Sequence, residues 1–325
     1  MKFDRILVTG AAGFIGMHTA RNFCKTSAKV TGVDNFSDYY DPQFKHARIS
    51  YLEEDSNFSF KELDLADKSR VETLFQEDSF DLVIHLAAQP GIRYSLVNPG
   101  AYIESNLVAF GHILEGVRQS PASNLIYASS SSVYGRNKVV PFSESHDVNL
   151  PANLYAATKR SNELLAETYN YLFGMRCTGL RFFTVYGPWG RPDMAYFKFT
   201  KLLFAGEPLP IFNRGNHRRD MTYIDDIMAG IRAAAEHLSD DHKIYNLGNS
   251  KTVELIDMVH ELEQLTGRVA KLNFMPIQEG DIVETYADID AARTDLNFSP
   301  KTEMATGLAH FIDWYRDYFN IQSSE

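Results

Sequence analysis

The sequence predicts an α/β protein built on a doubly wound parallel sheet, with a smaller C-terminal α/β lobe. Three observations predict it. Short, almost wholly apolar runs alternate with stretches whose apolar residues recur at three-and-four spacing through the first half. A glycine-rich turn joins the first apolar run to the first helical stretch. After Phe182 the rhythm changes and Gly and Pro become denser, as in Gly187-Pro188, Gly190-Arg191-Pro192 and Gly206-Glu207-Pro208.

Each element follows in order. Arg5–Thr9 reads as the first strand, and the stretch from about Gly13 to Phe23 as the first helix. Further strands are expected at Lys29–Asp34, Phe58–Leu63, Asp81–Leu86 and Asn124–Ala128. Between them, helical periodicity marks 67–77, 99–119 and 152–172. Strands that are apolar almost throughout suit a parallel sheet covered on both faces, and strand–helix alternation with right-handed crossovers winds it in both directions. The Phe36–Asn57 connection is long for a strand-to-strand link, so it carries a function or a short helix. A chain of 325 residues suits two lobes. The expected division is 1–182, joined by returning segments near 224–247, and 183–325, with shorter helices and strands.

Composition closes off several classes. With 44% hydrophobic and 23% charged residues the chain is neither disordered nor fibrous. Its 32 basic and 42 acidic residues give a net charge of −10, and no basic stripe stands out, so no nucleic-acid partner is expected. Two cysteines, Cys24 and Cys177, supply neither a disulfide framework nor a four-cysteine zinc site; both lie in apolar stretches and read as buried, reduced packing residues. No metal site is expected. No run approaches the ~18 apolar residues of a membrane span, and no secretory pattern opens the chain. A cytoplasmic location is the expectation.

The glycine turn is Thr9-Gly10-Ala11-Ala12-Gly13-Phe14-Ile15-Gly16. Gly10 allows a tight turn, Gly13 a close approach of backbone to a pyrophosphate, and Gly16 close helix–strand packing. The helix behind it offers amide N–H groups and a positive dipole end to phosphate. The spacing is GxxGxxG, a weak signal alone, but other strand ends add to it. Asp34 closes the second strand, where a carboxylate takes the adenosine ribose hydroxyls and repels a 2′-phosphate, which favours NAD over NADP. Asp64 follows the third strand within reach of an adenine, and Leu86-Ala87-Ala88-Gln89 follows the fourth. This is a Rossmann-type dinucleotide crevice, with NAD as the expected cofactor.

Tyr155 and Lys159 stand four apart on one helical face. A free phenol titrates near pH 10, too high for a base at neutral pH, but a neighbouring ammonium and a cationic nicotinamide both favour phenolate. Tyr155 then serves as a general base. Ser130 and Ser132, in the serine run expected after the fifth strand, can hold a substrate oxygen and relay its proton. Taken separately, a Tyr/Lys pair or a serine run is more often ordinary surface and loop. Behind a dinucleotide turn, and in this order, they make a hydride-transfer site.

These residues together resemble the extended short-chain dehydrogenases/reductases, in the nucleotide-sugar epimerase and dehydratase branch, over nearly the whole chain. Arg181–Pro188 (RFFTVYGP) is similar to the nucleotide-sugar loop of that branch. The resemblance extends the cofactor contacts to Phe14, Ile15, Asn35, Leu65 and Asn106. Dehydratases and decarboxylases of the branch place an acid beside the serine run; here Ser131 and Ser132 stand there, and elimination would lack its proton donor. Three segments, 34–42, 88–95 and 187–194, resemble the UDP-glucuronate 4-epimerases in particular. The resemblance implies a UDP-sugar substrate. Arg93, Arg191, Thr184 and Ser132 become the candidates for holding a sugar carboxylate through charge-assisted bonds, and either arginine could equally anchor its own loop. Arg219 matches the pyrophosphate arginine, Phe212 the uracil-side aromatic, and Asp281 the uridine ribose carboxylate. Where UDP-galactose epimerases carry a second phosphate arginine, this chain has Gln278. Epimerases of UDP-glucose or UDP-N-acetylglucosamine, a UDP-glucuronate decarboxylase and a non-catalytic dinucleotide sensor stay open. The family also implies a homodimer through the helices near 99–119 and 152–172.

Overall fold

A computed structural model describes residues 3–120, 124–277 and 283–322. The chain opens with β1 (Arg5–Thr9), α1 (Phe14–Cys24), β2 (Lys29–Asp34), α2 (Pro42–Leu52), β3 (Phe58–Glu62), α3 (Lys68–Glu77) and β4 (Leu82–His85). It continues through α4 (Pro99–Ile103), α5 (Ala109–Gln119), β5 (Asn124–Ser130), α6 (Leu154–Phe173) and β6 (Arg176–Phe182). Local sequence explains the helix starts. Asp41, Asp67 and Asn153 accept hydrogen bonds from the amides of Gln43, Arg70 and Ala156 at the starts of α2, α3 and α6. Gly174 ends α6 in the left-handed region, where a side chain would be strained. The long link after β2 therefore contains a helix, α2, capped by Asp41 with Pro42 in its first turn.

Beyond Phe182 come β7 (Thr184–Tyr186), α7 (Ala195–Ala205), β8 (Leu209–Phe212), β9 (Arg218–Tyr223), α8 (Ile224–Glu236) and β10 (Lys243–Leu247). Then follow β11 (Thr252–Glu254), α9 (Leu255–Thr266), β12 (Leu272–Met275), α10 (Asp290–Leu296) and α11 (Met304–Phe319). The strands here are short, as expected. The helices are not: α8 has 13 residues and α11 has 16, against 11 in α1. Gly and Pro shorten the strands and loops, whereas the helices keep full apolar stripes, such as Leu308, Phe311, Ile312 and Tyr315 on α11.

The main sheet has seven strands in the order β10-β6-β5-β4-β1-β2-β3, all parallel. Chain order reverses between β1 and β4, so a crevice opens at their C-terminal ends. Successive residues of β1 feed opposite cores: Ile6 and Val8 join one apolar cluster, Leu7 the other. Both faces are thus covered, which is why the strands are apolar without alternation. Two smaller sheets, β11-β9-β7 and β12-β8, accompany the main sheet. Cys24 and Cys177 are free and buried. Among the described residues no helix is long and apolar enough to cross a membrane.

Candidate active site

The glycine turn lies at the mouth of the crevice. Gly10 adopts φ +70°, and a Cβ there would stand 2.7 Å from the Ala87 nitrogen, so the chain after β4 can pass only over glycine. A Cβ on Gly13 or Gly16 would meet the Gly10 carbonyl at 2.9 or 1.9 Å. The second and third glycines are therefore demanded by the turn itself. Gly13 gives α1 no side-chain cap, so the first turn, at Phe14 and Ile15, offers amide N–H groups and the positive dipole end to an anion. Asp34 sits at the rim, its two oxygens accepting the Ala12 and Phe36 amides at 3.1 and 2.9 Å. Burial raises its pKa, while Lys45 and these amides pull it back down. Asp64 accepts the Asn35 side-chain amide at 3.1 Å, so Asp34, Asn35 and Asp64 form one polar edge, backed by the buried Leu65. A glycine cradle that any Cβ would fill, an uncapped helix and a carboxylate at the second strand end fit a dinucleotide.

Ser130 is the last residue of β5 rather than the start of a loop after Ala128, because pairing with β6 continues through Ser129–Arg181 and Ser130–Phe182. A single 3₁₀ turn, Ser131–Tyr134, follows. Ser130 Oγ accepts the Ser132 amide at 3.1 Å and stands near the Tyr155 phenol. Burial raises the pKa of Tyr155, whereas the Ser130 hydroxyl and the positive charge of Arg191 lower it. Lys159 is buried and donates to the Ala128 carbonyl at 2.9 Å; burial lowers its pKa to about 8. Sequence spacing had pointed to Lys159 as the cation that activates the phenol. In the folded protein Arg191 adds its positive charge at Tyr155, and Lys159 hydrogen-bonds the strand end.

Behind these residues lies a polar layer. Asn106, expected among the cofactor contacts, accepts the Gln89 amide at 2.7 Å and donates to Thr158 Oγ at 3.0 Å. Its carbonyl accepts from Asn162 at 2.7 Å, within a π-helical turn at Glu104–Val108. The loop after β4 is thereby pinned to the helix of Tyr155. Thr9 Oγ, on β1, shares a 2.8 Å bond with His85 Nδ1 and accepts the Ala87 amide. Glu163 pairs with Arg181 at 2.8 and 3.0 Å and accepts from Ser129 at 2.6 Å, so α6 fixes the serine run from below. Burial works against the Glu163 carboxylate, yet Arg181 and Ser129 hold its pKa below the usual value.

The loop after β7 turns toward Tyr155. Arg191 pairs with Asp193, Nε to Oδ1 at 2.9 Å and Nη2 to Oδ2 at 2.6 Å, and Tyr39 donates to Asp193 at 3.1 Å. Arg48, on α2, is fully buried. It donates to the carbonyls of Ala12, Trp189 and Gly190 and to the Tyr40 hydroxyl at 2.8, 2.6, 3.2 and 2.6 Å. Sequence reasoning had not singled out Arg48, Tyr39 or Asp193. The one signal was the unexplained length of the link that carries α2.

Arg93 is exposed, with its guanidinium 5.4 Å from the centre of the Phe212 ring. Arg219 donates to the Arg218 and Val283 carbonyls, both at 3.0 Å. Thr184 starts β7 and is half-buried, as is Ser132. Asp281 and Gln278 lie outside the described residues. Among the described residues no group of His, Cys, Asp or Glu is arranged to hold a metal ion.

Residues 6–248 match the model of the NAD dependent epimerase/dehydratase family. The chain is 44% identical over 332 residues to UDP-glucuronate 4-epimerase 3 of Arabidopsis thaliana, covering 97% of this chain and 77% of that protein. A crystal structure of the UDP-glucuronic acid 4-epimerase from Bacillus cereus, in complex with UDP-glucuronic acid and NAD, superposes with a TM-score of 0.91. Identity there is 36%, over 97% of this chain and 99% of that one. UDP-glucose 4-epimerase from Thermotoga maritima superposes with a TM-score of 0.88 at 27% identity, over 97% and 99% of the two chains.

Proposed function

The chain belongs to the NAD dependent epimerase/dehydratase family, and we propose that within it the protein interconverts UDP-glucuronate and UDP-galacturonate through a 4-keto sugar. The observation that carries this reading is Tyr155, set between the Ser130 hydroxyl and the Arg191 charge, with no carboxylate in the serine run beside it. A base flanked by a hydroxyl can move the C4 proton both ways, and the serine run carries no carboxylic acid to protonate a leaving hydroxide.

NAD, when bound, supplies a reversible hydride acceptor. Gly10, Gly13 and Gly16 would cradle its pyrophosphate with the amides of Phe14 and Ile15. Asp34 and Asn35 would take the adenosine ribose, Asp64 and Leu65 the adenine, and Leu86, Ala87, Ala88, Gln89 and Asn106 the nicotinamide half. Lys159 would hold the nicotinamide ribose. Tyr155 takes the 4-hydroxyl proton and later returns it, while Ser130 orients that oxygen. Arg219, Phe212 and Asp281 anchor the UDP end, with Arg93 stacked beside Phe212, so the keto sugar turns about a fixed nucleotide. Arg191, Thr184 and Ser132 hold the carboxylate. A 4-keto uronate is a β-keto acid and loses CO₂ readily, so those three residues must hold the carboxylate in an orientation that resists cleavage.

We read residues 1–182 with the 224–247 return as the NAD-binding lobe and 183–325 as the nucleotide-sugar lobe. A homodimer is supported by exposed apolar residues on neighbouring helices, Ile103 and Val108 on one side and Leu164, Leu165 and Leu172 on the other. Two free cysteines suit the cytoplasm. Purified protein incubated with UDP-glucuronate and no added cofactor tests the function, with the nucleotide sugars separated and identified. UDP-galacturonate alone is expected. A UDP-pentose would make the protein a decarboxylase, and no turnover even with NAD would redirect the search to another UDP-sugar or to a sensor.

A further inference from the structure

Arg191 and Asp193 are two residues apart and meet side-on, using the Nε and Nη2 hydrogens of the guanidinium. A guanidinium has five N–H groups arranged around a plane. Side-on pairing leaves both Nη1 hydrogens and the outer Nη2 hydrogen, and the Nη1/Nη2 pair is a second fork of the width of a carboxylate. Asp193 is itself held from another element. Tyr39, in the link before α2, donates to it at 3.1 Å, and the Tyr39 ring packs 5.2 Å from that of Tyr94. A carboxylate gripped by Tyr39 as well as by Arg191 is held when another anion arrives; it steadies the guanidinium and leaves the outer fork unused by Asp193.

We propose that Asp193, gripped by Tyr39, is a positioning residue that aims the outer fork of Arg191 at the sugar carboxylate and thereby sets the preference for a uronate over a neutral hexose. This rests on the assignment of Arg191 to the uronate carboxylate. It also gives the segment between β2 and α2 a duty at the far side of the crevice. The charge balance agrees: although burial pushes the Asp193 carboxyl up, Arg191 and Tyr39 hold it below the usual range, so it meets the guanidinium as an anion.

The test is calorimetric binding of UDP-glucuronate and UDP-glucose to NAD-loaded protein carrying Tyr155→Phe, which separates binding from turnover. Adding Asp193→Ala is expected to weaken UDP-glucuronate by about 10- to 100-fold, the equivalent of one charge-assisted hydrogen bond. UDP-glucose should stay within about twofold, since its C6 hydroxyl makes no ion pair. Tyr39→Phe should weaken UDP-glucuronate in the same direction by a smaller factor. Asp193→Asn, which keeps the shape and loses the charge, serves if the alanine variant does not fold. Equal losses for both sugars would reduce Asp193 to a structural residue and overturn the proposal. Tighter UDP-glucuronate binding would also overturn it, because Asp193 would then be a competitor for Arg191. An unchanged preference sinks this inference alone, whereas a parent protein that does not prefer UDP-glucuronate sinks the functional reading with it.

Discussion

Replacing Arg48 with Met keeps an unbranched chain between Tyr40 and Phe44 and removes the guanidinium, which lies 4.4 Å from the centre of the Phe44 ring. Three backbone carbonyls, of Ala12, Trp189 and Gly190, then lose a donor in a dry interior. Each buried acceptor left without a partner costs about 1–3 kcal/mol, a gross loss of roughly 3–9 kcal/mol. Against that, Arg48 is a buried charge hydrogen-bonded to neutral oxygens, and removing it relieves a desolvation cost of several kcal/mol. The net expectation is a destabilisation of about 2–4 kcal/mol. For a chain of this size that lowers Tm by on the order of 5 °C or more. The functional effect is more specific. Ala12 belongs to the glycine turn and Trp189–Gly190 immediately precede Arg191, so losing the tie should release NAD during purification and raise KM for UDP-glucuronate. Arg48→Lys should restore little, because a single ammonium cannot span carbonyls contributed by two loops. The assays are thermal unfolding with and without NAD, and the NAD content of the purified protein. An Arg48→Met protein with wild-type Tm and full NAD content would refute the reasoning.

Three further outcomes are expected. Ser130→Ala removes a hydroxyl that lowers the Tyr155 pKa, so the acidic limb of kcat/KM against pH should move to higher pH; a limb that stays or moves down would separate Ser130 from the base. His18 is buried beside the Pro188 carbonyl, and burial first of all lowers its pKa from 6.5 to about 4. A depressed pKa gives stability that is present above pH 6.5 and lost as pH falls through 4. Denaturant titrations should show about 3 kcal/mol lost across that window, and His18→Gln should flatten the slope. Leu165→Glu with Leu172→Glu puts charges on the exposed apolar side of α6 and should convert a dimer to monomers in light scattering; a wild-type monomer would remove the dimer reading outright.

What the sequence made legible was whatever depends on near neighbours along the chain. Strands buried on both faces must be apolar throughout, so β1, β4 and most of β5 are visible as runs, and Gly10, Gly13 and Gly16 are visible because a turn needs them at fixed spacing. The end of β5 was misplaced because Ser129 and Ser130 are polar. Their burial is made tolerable by Glu163, 34 positions from Ser129, and by the local Ser132 amide. Arg48 was invisible for the same reason, since its carbonyl partners lie 36, 141 and 142 positions away. The pattern Arg191-Pro192-Asp193 suggested a loop-anchoring pair or a carboxylate ligand. Only the fold shows that Asp193 occupies one edge of the guanidinium and leaves the other.

The arrangement of charge around Tyr155 suits a reaction that runs both ways. An epimerase base must give back in the second half-reaction the proton it took in the first, so a phenol that ionises too readily is as poor a catalyst as one that does not ionise. Burial pushes Tyr155 up, and Arg191 and Ser130 bring it back. Arg191 does not act at full strength, because Asp193 carries the opposite charge two residues away. Burial also lowers the pKa of Lys159, to about 8. Each cation near the base is thus tempered, by a paired carboxylate in one case and by desolvation in the other. A one-way elimination would gain from a stronger acid or a stronger base at one position. Balanced opposing terms favour neither direction, which is what exchange of two C4 epimers requires.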